Sequence, residues 1–254
     1  MIIQIIGLPG SGKTILSQEL AKKINAIHLN ADEVRADLNK DLGFSPEDRV
    51  EQSRRMGALA RLLSNQGHIV IADFVCPNKE TRIAFGDPNH LIWVDRIKES
   101  RFEDTNKLWH DPIPQAVTMR IQEGMSVKEE VDLVMKACNL FDWSAPTTLQ
   151  LGRYQPWHEG HQALKEEAHK RTDQVLVAVR NTFNTSEKDP LIWQDVYALI
   201  NDANPEGSNT KIMKLPNITN IVYGRDVGYK IEQVDLGADI HAISATEKRK
   251  QMGL

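Results

Sequence analysis

Eight residues constrain this chain more than any others. Gly7-Leu8-Pro9-Gly10-Ser11-Gly12-Lys13-Thr14 satisfies the G-x-x-x-x-G-K-[ST] spacing of a phosphate-binding loop. The apolar run Ile2-Ile3-Gln4-Ile5-Ile6 before it reads as a buried strand, and Thr14-Ile15-Leu16-Ser17-Gln18-Glu19-Leu20 after it reads as a helix start. Glycines let successive backbone N–H groups point inward at phosphate oxygens, and the helix N-terminus adds the positive end of its dipole. In that frame Lys13 reaches the terminal phosphates and the Thr14 hydroxyl ligates Mg²⁺. Gly7, Gly10, Ser11, Gly12, Lys13 and Thr14 are thus the candidate nucleotide ligands. The competing reading, a glycine turn with a surface lysine, does not need the flanking strand and helix.

A chain of 254 residues is one large or two small domains. Its 41% hydrophobic and 26% charged content is that of an ordinary globular protein. A net charge of −4 supplies no bulk attraction to nucleic acid or membrane. No apolar run is long enough to span a bilayer, and a strand at Met1 followed at once by the loop leaves no room for a signal peptide. Cys76 and Cys138 make neither a disulfide framework nor a metal cluster. The expectation is a cytoplasmic protein; a homo-oligomer is compatible with all of this.

Farther along, Ala26-Ile27-His28-Leu29-Asn30 reads as a strand running into Ala31-Asp32-Glu33-Val34-Arg35. Open α/β sheets place ligands at such strand ends. Asp32 can there be a Mg²⁺ partner or a base for an acceptor hydroxyl, with Arg35 holding an anionic substrate; equally, Asp32 can be a helix N-cap and Arg35 a solvated cation. A helix carries Arg54 and Arg55 on to Asn65, with Met56, Leu59, Ala60, Leu62 and Leu63 on one face. His68-Ile69-Val70-Ile71-Ala72-Asp73-Phe74-Val75 is a strand whose Asp73 can support Mg²⁺ through water. Leu91-Ile92-Trp93-Val94-Asp95 is another strand. Strands alternating with helices predict a mostly parallel sheet with helices on both faces.

These residues carry a resemblance. Asp32-Glu33-Val34-Arg35, Leu38-Asn39, Asp41-Leu42-Gly43-Phe44-Ser45, Asp48-Arg49, Arg54-Arg55 and Phe74-Val75-Cys76-Pro77 are similar, in order, to the adenylylsulfate (APS) kinase family over roughly residues 1–85. The resemblance implies a P-loop kinase fold and transfer of the ATP γ-phosphate to the ribose 3′-hydroxyl of APS. It makes Asp32 the carboxylate beside the transferring phosphate and the acceptor hydroxyl, and lines the acceptor site with Arg35, Asn39, Phe44 and Arg49. The chain departs from the family with Asn30-Ala31-Asp32 for Asp-Gly-Asp, Glu51-Gln52-Ser53 for Glu-Asn before the arginine pair, and Cys76 for Ser before Pro77. After Asp95 the family's basic lid run is replaced by a segment in which Arg101 and Lys107 remain to close over phosphates. The acceptor is APS or another small alcohol.

Residues 110–146 change character, with His110-Asp111-Pro112-Ile113-Pro114 reading as a loop. Ser126 and Glu129 form a capping-box start to a helix running to about Phe141. Asp142-Trp143-Ser144-Ala145-Pro146 then reads as a linker, giving domains 1–145 and 146–254. The second begins with strand Thr147-Thr148-Leu149-Gln150-Leu151 and leads through Gly152-Arg153-Tyr154-Gln155-Pro156 into His158-Glu159-Gly160-His161 at a helix start. His158 and His161, three apart, share one face, and Gly160 permits close approach of a phosphate. Two imidazoles there suit negative charge developing on a triphosphate; a metal would need more ligands, and a chance pair of surface histidines is the default. Trp193, Val196, Tyr197, Leu199 and Ile200 read as a core-facing helix stripe.

With Ile243-Ser244-Ala245-Thr246-Glu247-Lys248-Arg249 near the end, this half resembles the nucleotidyltransferase superfamily with H-x-G-H and I-S-x-T-x-x-R signatures. Its members include cytidylyltransferases, nicotinamide mononucleotide adenylyltransferases and ATP sulfurylases; Gly152-Arg153-Tyr154-Gln155-Pro156 is most similar to the mononucleotide branch. The resemblance implies a Rossmann-like fold and a second nucleoside triphosphate, ATP or CTP. It puts His158 and His161 at the α-phosphate, Ser244, Thr246 and Arg249 at the departing pyrophosphate, and Gly152, Arg153 and Gly160 in the nucleotide site. Lys188, in the polar loop that includes Asn184, either closes on the same phosphates or is solvated. Tyr223-Gly224-Arg225-Asp226 is similar to the Gly-Arg-Asp of ATP sulfurylase.

The expectation is therefore an α/β protein of two domains, each a mostly parallel sheet flanked by helices. The function expected is a bifunctional enzyme, an ATP·Mg²⁺-dependent small-molecule kinase followed by a nucleotidyltransferase acting on a phosphorylated or otherwise anionic acceptor. The alternatives are an APS kinase of sulfate activation with a sulfurylase-like partner domain, and a nucleotide-binding regulator without turnover.

Overall fold

The computed structural model describes residues 1–254 except 183–184, 206–207, 223, 225–227, 229, 242, 244 and 254. It divides into two compact units, Met1–Ser144 and Ala145–Leu254. Asn184, Tyr223, Arg225, Asp226 and Ser244, singled out above, lie outside the described residues.

In the first unit, β1 (Ile2–Ile6), β2 (Ile27–Asn30), β3 (Val70–Phe74), β4 (His90–Val94) and β5 (Met119–Ile121) form one parallel sheet in the order β2-β3-β1-β4-β5. The helices are α1 (Lys13–Ile24), α2 (Ala31–Asp37), α3 (Pro46–Asn65), α4 (Lys79–Phe85), α5 (Glu103–Leu108) and α6 (Val127–Ala137). Every residue of the central strand β1 is buried. A near-continuous apolar run, interrupted only by the buried Gln4, means this in a parallel sheet covered on both faces. On one face Leu16, Leu20 and Ile24 of α1 and Val131 and Val134 of α6 pack against Ile3, Ile5 and Ile92. On the other, Met56 and Ala60 of α3 and Phe85 at the end of α4 pack against Ile2, Val70 and Ala72.

Short elements carry too few residues to show a period. α4, α5 and the three-residue β5 were not foreseen in the sequence, although Asn78 and Thr81 form a full capping box on α4. α6 begins at its capping box but stops at Ala137, short of Phe141. Asn139 takes a left-handed φ of 49°, and the Leu140 N–H closes onto the Met135 carbonyl, which ends the helix and returns Leu140 to the core.

In the second unit β6 (Thr147–Gly152), β7 (Gln174–Arg180) and β8 (Thr210–Leu215) form a parallel sheet in that order. Its helices are α7 (Glu159–His169), α8 (Trp193–Ala203), α9 (Ala238–His241) and α10 (Ala245–Gln251). Val175, Val177 and Val179 of β7 meet Ala168 of α7, Val196 and Ile200 of α8, and Tyr154 and Trp157 from the loop after β6. Trp193 and Leu199 pack at the margin of this core, whereas Tyr197 is 42% exposed and does not join it. Both units are thus α/β with parallel sheets. Among the described residues no helix is long and apolar enough to cross a membrane.

Candidate functional site

In the first sheet the chain leaves β1 toward β2 on one side, and later leaves β3 toward β4 on the other. A crevice opens outside the C-terminal ends of β1 and β3, where such a sheet reverses its winding. The glycine loop enters that crevice. A Cβ on Gly7 would lie 2.3 Å from the Val94 carbonyl, so only glycine lets the loop pass β4. Gly12 caps α1 at φ 90°, and a Cβ there would lie 2.0 Å from Arg96 Nη1. The cap brings no side-chain acceptor, and the first turn holds no acidic residue, so the N–H groups and dipole of α1 face outward unanswered. The Ser11 hydroxyl is buried without a partner. The Lys13 ammonium folds back to donate to the Leu8 carbonyl at 3.0 Å. Burial pulls its pKa down against the attraction of Asp73 and Asp32. Arg96 donates to the Ser11 carbonyl at 3.0 Å and is itself paired with Glu130 of α6, which is fully buried.

A cavity of about 540 Å³ lies against this loop, lined by Gly10, Lys13 and Thr14. Asp32 and Asp73 line it too, with Phe44, Arg49, Arg101, Phe102 and Asp104 on the remaining walls. The Thr14 hydroxyl donates to Asp73 Oδ2 at 2.7 Å. Asp32 is not the cap of α2. That place is taken by Asn30, whose Oδ1 accepts the N–H groups of Asp32 and Glu33 at 3.0 and 3.1 Å. The capping reading of Asp32 is thereby replaced, and its carboxylate lines the cavity.

Of the four implied acceptor residues, Phe44 and Arg49 line the cavity. Arg35 stacks on the Phe44 ring with its guanidinium carbon 4.7 Å from the centroid and donates to the Gly43 carbonyl, so it supports the wall. Asn39 is not a lining residue: it is buried, donating to Gln52 at 2.8 Å and accepting from Arg55. Arg54 and Arg55 are engaged by Glu51 and Asp41. Lys107 faces Glu103 on the surface of α5. The sequence reading missed Phe102 and Asp104, which also line the cavity, Asp104 pairing with Arg49 at 2.7 Å. It also missed His28, whose Nε2 lies 2.6 Å from Asp73 Oδ1. Among the described residues no three His, Cys, Asp or Glu side chains converge on a metal position. Thr14 and Asp73 beside open phosphate-binding N–H groups nevertheless fit Mg²⁺, which is held largely by substrate phosphates and water.

The second unit brings its two signatures together. His158 caps α7, its Nδ1 accepting the Gly160 N–H at 3.2 Å, while His161 Nδ1 accepts the His158 N–H at 3.3 Å. An accepting Nδ1 on a neutral imidazole leaves the proton on Nε2, so each ring keeps one N–H to donate. The rings stack at 3.8 Å. Burial pulls His161 down to about 4, with His158 adding repulsion, and burial also lowers His158. Both are neutral at neutral pH. Arg249 of α10 donates to the Gln155 carbonyl at 2.8 Å and to the Thr246 hydroxyl at 3.0 Å, and Lys248 pairs with Glu159 at 2.9 Å. Arg153 is 3.3 Å from Asp189, and a Cβ on Gly152 would lie 2.6 Å from the Tyr154 ring. Lys188 is exposed.

The first unit therefore has the class features of a P-loop kinase domain. Residues 1–87 match the family model described as adenylylsulphate kinase. The adenylyl-sulfate kinase of Bacillus licheniformis is 48% identical over 103 residues, 39% of this chain and 51% of that one. That of Staphylococcus haemolyticus is 44% identical over 87 residues, 32% and 44% of the two chains. The chain thus spans about half the length of the curated relatives it matches. Among solved structures, the Mycobacterium tuberculosis APS kinase CysC in complex with AMPPNP and APS aligns with 54% of this chain and 96% of its own, at 22% identity and a TM-score of 0.48. The N-terminal part of the chain is an APS kinase-like P-loop kinase domain.

Proposed function

We infer that the first unit transfers the γ-phosphoryl group of ATP to a hydroxyl of a small anionic acceptor, APS or a related alcohol. The observation that carries this is the meeting of Lys13, Thr14, Asp73 and Asp32 around one cavity at the open N-terminus of α1. The loop N–H groups and Lys13 hold the phosphates, and the Ser11 hydroxyl is available to them. Asp32 accepts a hydrogen bond from the acceptor hydroxyl and aims it. Phe44 and Phe102 offer aromatic faces, and Arg101 positive charge, to the rest of the acceptor, whereas Arg49 is paired with Asp104 at 2.7 Å and holds the Phe44 carbonyl, so it braces the wall. Thr14, and Asp73 through water, would hold Mg²⁺, which would supply positive charge to the transferring phosphates. Incubation with ATP and APS, and with ATP and other small alcohols, followed by product mass spectrometry, tests this reading. A phosphorylated acceptor formed by the wild type and absent with Lys13→Ala supports it, and no acceptor-dependent ADP refutes it.

For the second unit we infer nucleotidyl transfer from ATP or CTP with release of pyrophosphate. The bond from Arg249, itself held to Thr246, to the Gln155 carbonyl, next to two Nε2–H imidazoles at a helix N-terminus, favours it. His158 and His161 donate to the α-phosphate oxygens, and Arg249 and Thr246 hold the departing phosphates. The two reactions are consecutive in this reading, the kinase making the phosphate that the transferase activates. Pyrophosphate release that depends on the kinase product and is lost with His161→Ala supports the assignment. A second unit that accepts nothing the first one makes refutes the coupling. A sulfurylase-like role instead requires sulfate-dependent pyrophosphate release, and a regulator binds nucleotide with no turnover of either kind.

A further inference from the structure

We propose that His28 is a positioning residue of the kinase site, fixing the Asp73 carboxylate so that only one of its lone pairs is left for the metal's water shell. The inference rests on the reading of Asp73 as the outer partner of Mg²⁺.

An ionised carboxylate offers about four acceptor positions, two on each oxygen. Asp73 is 1% exposed, so nearly all of its hydrogen bonds must come from protein or ligand. Oδ1 takes His28 Nε2 at 2.6 Å and Asn30 Nδ2 at 3.1 Å, which fills it. Oδ2 takes the Thr14 hydroxyl at 2.7 Å, with a longer approach of 3.3 Å from the same Asn30 amide. The Asn30 amide has two hydrogens and faces three acceptors, Oδ1 and Oδ2 of Asp73 and the Thr14 hydroxyl oxygen, at 3.1, 3.3 and 3.3 Å, so its hold on Oδ2 is weak, and that position, beside the hydroxyl that would ligate the metal, is the one a metal-bound water can take. His28 sets this asymmetry. It sits on β2, where the register places Asn30 directly opposite Asp73 and His28 two residues earlier on the same face of the strand. A side chain with no donor at position 28 would leave Oδ1 half-filled and the carboxylate freer to rotate about its Cβ–Cγ bond, so that an oxygen lone pair is aimed at the metal position for less of the time. With a carboxylate that only accepts, Nε2 must carry a hydrogen.

The full chain provides two readouts independent of turnover. The first is the nitrogen chemical shifts of the His28 ring in the nucleotide-free protein, which show whether Nε2 is protonated. The second is calorimetric titration of ADP with and without Mg²⁺, whose ratio measures how much the metal strengthens nucleotide binding. A protonated Nε2 is expected. His28→Leu is expected to reduce the Mg²⁺ enhancement about tenfold while leaving metal-free ADP affinity unchanged, and His28→Gln, whose amide nitrogen can stand where Nε2 stands, is expected to restore most of it. The glutamine variant keeps the measurement available should the leucine variant fold poorly: enhancement retained with Gln and lost with His28→Glu, an acceptor in place of a donor, supports the assignment. A bare Nε2, or equal enhancement in wild type and His28→Leu, overturns the role of His28 alone. A wild type whose ADP affinity does not respond to Mg²⁺ overturns the metal reading of Asp73 and this role with it.

Discussion

The Arg249 guanidinium donates to the Gln155 carbonyl at 2.8 Å, joining residues 94 apart in sequence. With its second arm on Thr246, it ties the last described helix to the loop that precedes His158. Arg249→Ala is expected to lower nucleotidyl transfer by about 10²-fold, the usual loss when one preorganised donor to a transition-state anion is removed. Arg249→Lys is expected to recover only part of it, because a point charge cannot span both acceptors. Pyrophosphate release measures this, and acceptor-dependent ADP formation by the first unit should not change.

His161 ties acid stability to the second site. Its folded pKa is about 4, against an ordinary value of 6.5 for the unfolded chain. Below pH 6.5 the unfolded chain binds a proton that the folded one refuses. The residue therefore withdraws stability as pH falls from about 6.5 toward 4 and has no effect above that window. Urea unfolding of the wild type and His161→Asn at pH 7.5 and 4.5 should show a smaller acid loss in the variant.

Phe44 is 63% exposed, yet it walls the cavity and carries the Arg35 guanidinium over its ring. Phe44→Ala should leave unfolding free energy within about 0.5 kcal/mol of wild type, as for most surface changes. The acceptor KM should rise about tenfold, the value of one aromatic contact, with kcat little altered. Steady-state kinetics with varied acceptor and fixed ATP gives the split.

Glu130 is fully buried beneath the phosphate loop and is paired with Arg96, which holds the Ser11 carbonyl. Glu130→Ala leaves that guanidinium without its carboxylate and is expected to cost about 3 kcal/mol in denaturant unfolding, as broken buried pairs do. Nucleotide affinity should fall as well, because the loop loses its support behind Gly12.

The legible parts of this protein are those whose spacing is dictated by one local requirement. The glycines at 7 and 12 are demanded by a loop that passes Val94 and Arg96 with no room for a Cβ, so loop, strand and helix can be read directly from eight letters. The turn of Ser126 and Glu129 marks the start of α6 for a similar reason, while its end depends on the left-handed Asn139, which nothing in the spacing signals. Long-range neighbours were hidden. His28 meets Asp73 only because β2 lies beside β3 in the sheet order, and chain order does not state that order. Asp32 could not be told from a cap until Asn30 was seen to occupy the cap position. Phe102 caps and Asp104 lies in the first turn of a six-residue helix too short to show a period. Asn39 carries the family's letter, but its amide is spent on Gln52 and Arg55 inside the fold.

The central claim is that the corner between β1 and α1 holds the phosphates of a nucleotide through Lys13. Calorimetric titration of Mg·ADP into the full wild-type chain and into Lys13→Ala addresses it without reference to any acceptor. Wild-type binding that weakens by roughly 10- to 100-fold in the variant, the equivalent of one charge-assisted hydrogen bond, is the expected result. Equal affinity in the two proteins, or no binding by the wild type, would contradict it.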